Sequence, residues 1–165
     1  MKTHFSQLAL ALALAAPLTL AGGPAFAADA HQHDAASAAP LTLNHGQKWE
    51  TDAPLRLAMG KLEQAVVAAL PAAHAGTLSD AQYDALSTQA GQEFAYIVEH
   101  CKLAPDADAA LHVILADMIG GTETVSGKQA GQSRASGVVQ LAQALNRYGE
   151  YFDHPGWKNV SIPQH

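Results

Sequence analysis

The chain has 165 residues and a formal net charge of −6, with 9 Lys and Arg against 15 Asp and Glu. Its few cations do not cluster, so it lacks the basic patch that binds phosphates, which excludes nucleic acid as a partner. A single cysteine, Cys101, excludes an intramolecular disulfide. The unusual feature is histidine, because its nine copies equal the number of Lys and Arg together.

The first 27 residues have the three parts of a cleavable secretory signal. Lys2 supplies a cationic start, an apolar run extends from Leu8 to Leu20, and Ala25-Phe26-Ala27 puts small residues at the two positions that signal peptidase reads. The run is too short, and too closely followed by Gly22-Gly23-Pro24, for a permanent membrane span. We therefore predict cleavage after Ala27, a periplasmic location and no membrane span after removal of the signal. An N-terminal membrane anchor is the less favoured alternative.

Residues 28–40 contain no large apolar side chain and are predicted to form a flexible tail before a domain that spans residues 41–165. The tail carries His31 and His33, which form a weaker candidate metal site. If cleavage fell after Ala28, Asp29-Ala30-His31 would place an amine, two amides and an imidazole in the square plane that Cu(II) and Ni(II) favour. Cleavage after Ala27 makes His31 the fourth residue, which spoils that geometry.

Residues 41–50 are predicted to lie as an extended segment over the domain. Four segments then show apolar residues at steps of three and four, the period of a helix that packs one face against a core. The first helix begins with Asp52 as its cap and Pro54 in its first turn, and it is predicted to stop at Pro71. Its apolar seam is Leu55, Met59, Leu62, Val66 and Ala69.

The second helix has the clearest start, because Ser79 and Gln82 form a capping box. Its seam continues to Cys101. The third helix begins near Pro105, and the connection is so short that the two helices must be antiparallel neighbours. The third helix is predicted to end at Gly120-Gly121.

A long polar loop is predicted from Gly120 to Gln132. The fourth helix begins near Ser133 and ends at His154, because Pro155 disfavours helical geometry there. No alternation of period two appears anywhere. The predicted fold class is therefore all-α, an up-down-up-down four-helix bundle with an N-terminal extended segment.

Several segments resemble a group of short, signal-bearing proteobacterial proteins that are taken to be periplasmic helical bundles. The matching segments run from Leu43 to Trp49, from Thr51 to Arg56, from Ile97 to Leu103 and from Leu145 to Trp157. The resemblance covers nearly all of the chain after the signal. It implies the bundle fold and the periplasmic location, and it implies no established activity.

The candidate functional residues are metal ligands near one pole of the predicted bundle. His100, Cys101 and His154 belong to this pole, and the extended segment would bring His45 there. Met59 and His112 are expected roughly 9 Å further in, at about 1.5 Å rise per residue. Imidazole, thiolate and thioether together suit copper or zinc, with copper favoured. Asp108 lies four residues before His112 and would act beside it, as a ligand or an orienting partner.

Three alternatives stand beside metal binding. Met59 and Cys101 fall on the apolar seams, where such residues are ordinary core. A haem-binding bundle would use Met59 and His154, although no C-x-x-C-H attachment motif is present. The bundle would otherwise act by contacting another envelope protein, with its histidines incidental or responsive to pH. No catalytic motif is present, so no enzyme is predicted.

Overall fold

The computed structural model describes residues 40–163, and these residues form four α-helices. They are α1 (Ala53–His74), α2 (Asp80–His100), α3 (Pro105–Val125) and α4 (Arg134–Tyr151). Within this part of the chain there is no β-strand, only two isolated bridges. Successive helices pack against each other and α1 also packs against α4, with the most extensive contact between α3 and α4. The predicted up-down-up-down bundle is confirmed. The predicted signal and most of the predicted tail lie outside the described residues.

The helix starts follow the predicted capping chemistry. Asp52 Oδ1 accepts a hydrogen bond from Leu55 N at 2.8 Å, and Pro54 occupies the first turn of α1. Ser79 and Gln82 form the reciprocal capping box at the start of α2. Ser133 caps α4 through Ser136 N. A polar side chain that satisfies an otherwise unpaired helical N–H stabilises the helix by about 1 kcal/mol.

Three predicted helix ends were wrong: α1 and α3 are longer than predicted, whereas α4 ends at Tyr151, three residues before the predicted end at His154, because Phe152 is already extended. α1 continues through Pro71 to His74, because the buried Leu70 and Ala73 on either side of Pro71 pack into the core. α3 continues through Gly120 and Gly121 to Val125, which is itself fully buried. The polar stretch after Gly120 is therefore partly helical. In both places the burial of apolar surface outweighs the poor helix propensity of Pro and Gly.

The core is a single cluster of buried apolar side chains from all four helices, continued by Val160 of the C-terminal segment. At the far pole from Cys101, the Arg134 side chain links three helices. It donates to the carbonyl oxygen of Val125 at 2.6 Å and contacts the carboxylates of Asp80 and Asp84. None of the helices in the described part of the chain is long and apolar enough to cross a membrane.

Residues 40–52 contain no helix and run across the pole of the bundle at which Cys101 lies, opposite the Arg134 pole. Asn44 and Gln47 exchange two backbone hydrogen bonds around a tight turn in which His45 and Gly46 have positive φ values of 50° and 83°. Trp49 N donates to Tyr151 O at 2.8 Å, and Asp153 N donates to Trp49 O at 2.8 Å. The predicted extended segment is thereby fixed to the end of α4.

Candidate functional site

One pole of the bundle gathers chemically active side chains from three helices and the segment after α4. We call this set the Cys101 pole, and it consists of Asp52, Arg56, Cys101, Tyr148 and His154. Asp52 connects two of the elements, because its Oδ1 caps α1 while its Oδ2 accepts a hydrogen bond from Lys102 N at 2.7 Å. The carboxylate therefore holds the end of α2 beside the start of α1.

Cys101 is the C-cap residue of α2 and is partly buried. Burial raises the pKa of its thiol to about 12, with further increases from the negative charge of Asp52, a hydrogen bond with Asp52 and the charge of Asp108. An anion next to two carboxylates in a poorly solvated position is disfavoured. Cys101 is thus a neutral thiol at physiological pH.

Tyr148 lies at the centre of the pole and is fully buried. Its hydroxyl lies 3.1 Å from His154 Nδ1, and its ring stacks on Phe152 at a centroid distance of 5.3 Å. Burial raises the Tyr148 pKa, and the charges of Cys101 and Asp52 raise it further against the opposing effect of Arg56. The phenol therefore remains protonated and serves as the hydrogen-bonding partner of His154.

His154 is partly buried, and its ring is held between two aromatic side chains. Its ring centroid lies 5.8 Å from that of Tyr148 in an edge contact and 4.9 Å from that of Trp157. Burial lowers the pKa of His154, and Arg56 lowers it further, while Asp153 acts in the opposite direction. The imidazole is therefore neutral at pH 7, which is the form that ligates metals.

The other predicted ligands lie apart from this group. His100 is exposed and stacks on Tyr96 of its own helix, with 4.2 Å between ring centroids. His112 is more exposed still, with 68% of its side chain accessible, and its Nδ1 lies 3.5 Å from the carboxylate of Asp108. The predicted pairing of Asp108 with His112 is thus present, but on the outer surface of α3.

His45 and Met59 are also separate from the pole residues. His45 is exposed in the tight turn and borders a surface groove of about 490 Å³ between the N-terminal segment and α3. Met59 is fully buried in the core, so an external ligand reaches its sulfur only if the helices open. The haem alternative needs both Met59 and His154, and the buried Met59 sulfur would reach a haem iron only if the helices opened. His31 and His33 lie outside the described residues.

The structure therefore places His154 against the Tyr148 hydroxyl, with Cys101 near enough to raise the Tyr148 pKa, and leaves the other candidates apart. Among residues 40–163, no three His, Cys, Asp or Glu side chains form a group that could hold a metal ion. Comparison with protein-family models, with curated proteins and with solved structures found no match to this chain. Any functional interpretation consequently rests on the chemistry of its own residues.

Only some of the contacts within this pole are predictable from the sequence. Asp52 was predicted as a helix cap, but its second oxygen reaches Lys102 N, fifty positions along the chain. Tyr148 follows Leu141 and Leu145 at the three- and four-residue spacing of the fourth helix, which predicts a core residue and assigns no partner to its hydroxyl. Its position six residues before His154, near the end of the predicted helix, is the feature of the sequence from which their contact could have been predicted.

Proposed function

We propose that the chain is a periplasmic helical-bundle protein that binds a metal ion at the Cys101 pole, with copper favoured over zinc. The observation that supports this proposal is the contact of His154 Nδ1 with the Tyr148 hydroxyl at 3.1 Å, with Cys101 near enough to raise the Tyr148 pKa. A thiolate and a neutral imidazole form the soft to borderline donor pair that Cu(I) favours. The proposal includes export by the N-terminal signal, and it contains no catalytic step.

His154 has the form that a metal ligand requires. A ligating histidine usually donates its second ring N–H to a nearby oxygen, and this contact fixes the ring and its tautomer. The Tyr148 oxygen, 3.1 Å from Nδ1, supplies that acceptor and leaves Nε2 for the metal. Trp157 and Tyr148 restrict rotation of the imidazole on either side.

Cys101 must lose its thiol proton before it can bind a metal ion. In the metal-free chain the thiol keeps its proton, and its hydrogen bond with Asp52 favours this protonated form. Cu(I) replaces the proton, forms a bond to Sγ and releases H⁺ to solvent. Asp52 then lies beside a thiolate whose charge is neutralised by the ion.

Substitution of either ligand should abolish tight copper binding. We expect the chain to bind one Cu(I) in competition with a chromophoric chelator, and Cys101→Ser and His154→Gln each to weaken binding at least ~100-fold, by analogy with loss of metal-site partners. His112→Gln is the matched control, because its exposed imidazole lies on the outside of α3. Equal affinity in Cys101→Ser and in the unmodified chain would refute the proposal.

The affinity for Cu(I) should increase with pH. Because the Cys101 pKa is raised to about 12, the thiol of the metal-free chain stays protonated throughout the neutral range, and each bound ion must displace that proton. Affinity should therefore rise about tenfold per pH unit from roughly pH 6 to pH 8. Titrations in buffers of different pH measure this slope. A flat profile would show that the ion binds elsewhere.

A further inference from the structure

The side of the bundle formed by α2 and α3 exposes apolar residues. On α2, Glu93 and Tyr96 face α1, because both contact the Lys61 ammonium group. At about 100° per residue, Val98 lies roughly opposite these two residues and therefore on the side away from α1. It is 78% exposed, the highest value among the large apolar residues of the described chain.

α3 presents a matching exposed apolar position on its side away from α4. Asp117 and Gly121 face α4, where Asp117 pairs with Arg147 and Gly121 approaches Leu141. Ile119 lies two residues from each of them, which places it about 200° around the helix, away from α4. Ile119 is 46% exposed. We call the surface bounded by Val98 and Ile119 the α2/α3 groove.

The length of the groove suits a docked helix. Val98 lies in the last turn of α2, while Ile119 lies 14 residues into the antiparallel α3. At 1.5 Å per residue the two side chains are therefore roughly 20 Å apart along the bundle axis, the length of a helix of about 13 residues. Partly buried Phe94 occupies the same side of α2 one turn before Val98.

The charge on these two helices is of one sign. Neither α2 nor α3 contains a Lys or Arg, whereas together they carry eight carboxylates. Four of these form ion pairs with cations of α1 or α4. The remaining four, which are Glu99, Asp106, Asp108 and Glu123, form no ion pair with Lys or Arg among residues 40–163.

We propose that the α2/α3 groove docks a cationic amphipathic helix of another protein. The apolar stripe of such a helix would cover Val98 and Ile119, while its Lys or Arg side chains would face Glu99, Asp108 and Glu123. A second copy of this chain is a poor occupant, because it would bring carboxylates against carboxylates. Docking does not depend on a metal ion at the Cys101 pole, since Val98 and Ile119 are not members of that set.

A synthetic helix tests the proposal directly. The probe is a fluorescent amphipathic peptide of Leu and Lys about 13 residues long, matched to the groove. We expect it to bind the purified chain with micromolar affinity at low salt and to bind more weakly as ionic strength rises. The same peptide with Glu in place of Lys should not bind. Cys101→Ser should bind the Lys peptide as the unmodified chain does.

Substitutions on the chain separate docking in the groove from simple charge attraction. Val98→Gln and Ile119→Gln leave the charge unchanged and should each weaken binding of the Lys peptide at least ~10-fold, as expected for truncated central contacts. Val67→Gln is the control, because Val67 is 45% exposed on α1. Circular dichroism verifies that each variant folds. Affinity that is insensitive to Val98→Gln and Ile119→Gln would overturn the proposal, as would a dimer of the free chain that these substitutions disrupt.

Discussion

Gly137→Ala should destabilise the bundle by about 3 kcal/mol, the upper part of the range for overpacked positions. Gly137 lies where α4 crosses α3 most closely. A Cβ atom there would lie 2.5 Å from Val125 N, 2.8 Å from Gly121 O and 2.9 Å from Thr124 C. All three are backbone atoms of α3, which cannot move aside as the end of a side chain can, so the helices must separate.

The measurement is the free energy of unfolding in urea, together with the midpoint of thermal unfolding. Gly120→Ala is the matched control, because Gly120 lies in α3 and its added Cβ would meet no atom within 4 Å. In a helix this control should stabilise the chain by up to about 1 kcal/mol. A Gly137→Ala variant as stable as the unmodified chain would contradict the close crossing of α3 and α4.

Tyr148→Ala should cost about 3 to 5 kcal/mol of stability, as large-to-small substitutions of buried aromatic residues do. Tyr148 is fully buried, stacks on Phe152 and contacts Trp157 with 4.8 Å between ring centroids. Its loss would leave a cavity where the extended segment, α4 and the C-terminal segment meet. Urea unfolding measures the cost.

Tyr148→Phe separates the ring from the hydroxyl. It retains the aromatic packing and removes only the oxygen 3.1 Å from His154 Nδ1, so it should cost about 1 kcal/mol. The phenylalanine variant should still bind copper, but more weakly, because His154 loses its orienting partner. If both variants lose the same stability, packing of the Tyr148 ring is not what stabilises this pole.

The sequence predicted the helices well where local chemistry decides. Asp52, Ser79 and Ser133 each offer an oxygen to an unpaired N–H of the first turn, and this interaction needs no information from the rest of the fold. The ends at Pro71 and Gly121 were mispredicted because tertiary packing decides them. Gly121 is a poor helix former alone, but in the bundle its missing side chain admits Leu141 of α4.

The candidate site shows the same difference between what a local pattern predicts and what tertiary packing decides. Shared height in an up-down-up-down bundle was enough to predict that Cys101 and His154 occupy one pole. It was not enough to predict that His100 turns outward onto Tyr96, because one position along a helix changes the direction of a side chain by about 100°. The second contact of Asp52 depends on the loop after α2, whose path no local pattern specifies.

The two proposed sites lie on different parts of the surface and differ in charge. The Cys101 pole is compact and partly buried, and its candidate ligands are neutral at physiological pH. The α2/α3 groove is open, apolar and bordered by carboxylates. A Cys101→Ser variant that loses copper but keeps the Lys peptide, and a Val98→Gln variant with the opposite behaviour, would establish that they are independent.

Copper K-edge X-ray absorption of the Cu(I)-loaded chain is the most direct test of metal binding at the Cys101 pole. Cys101 is the only cysteine, so a sulfur scatterer at bonding distance, together with an imidazole, would come from Cys101 and a histidine unless Met59 or Met118 supplied the sulfur. We predict that the sulfur signal disappears in Cys101→Ser and that the imidazole signal weakens in His154→Gln. Spectra with only nitrogen and oxygen neighbours, unchanged by either substitution, would contradict the proposal.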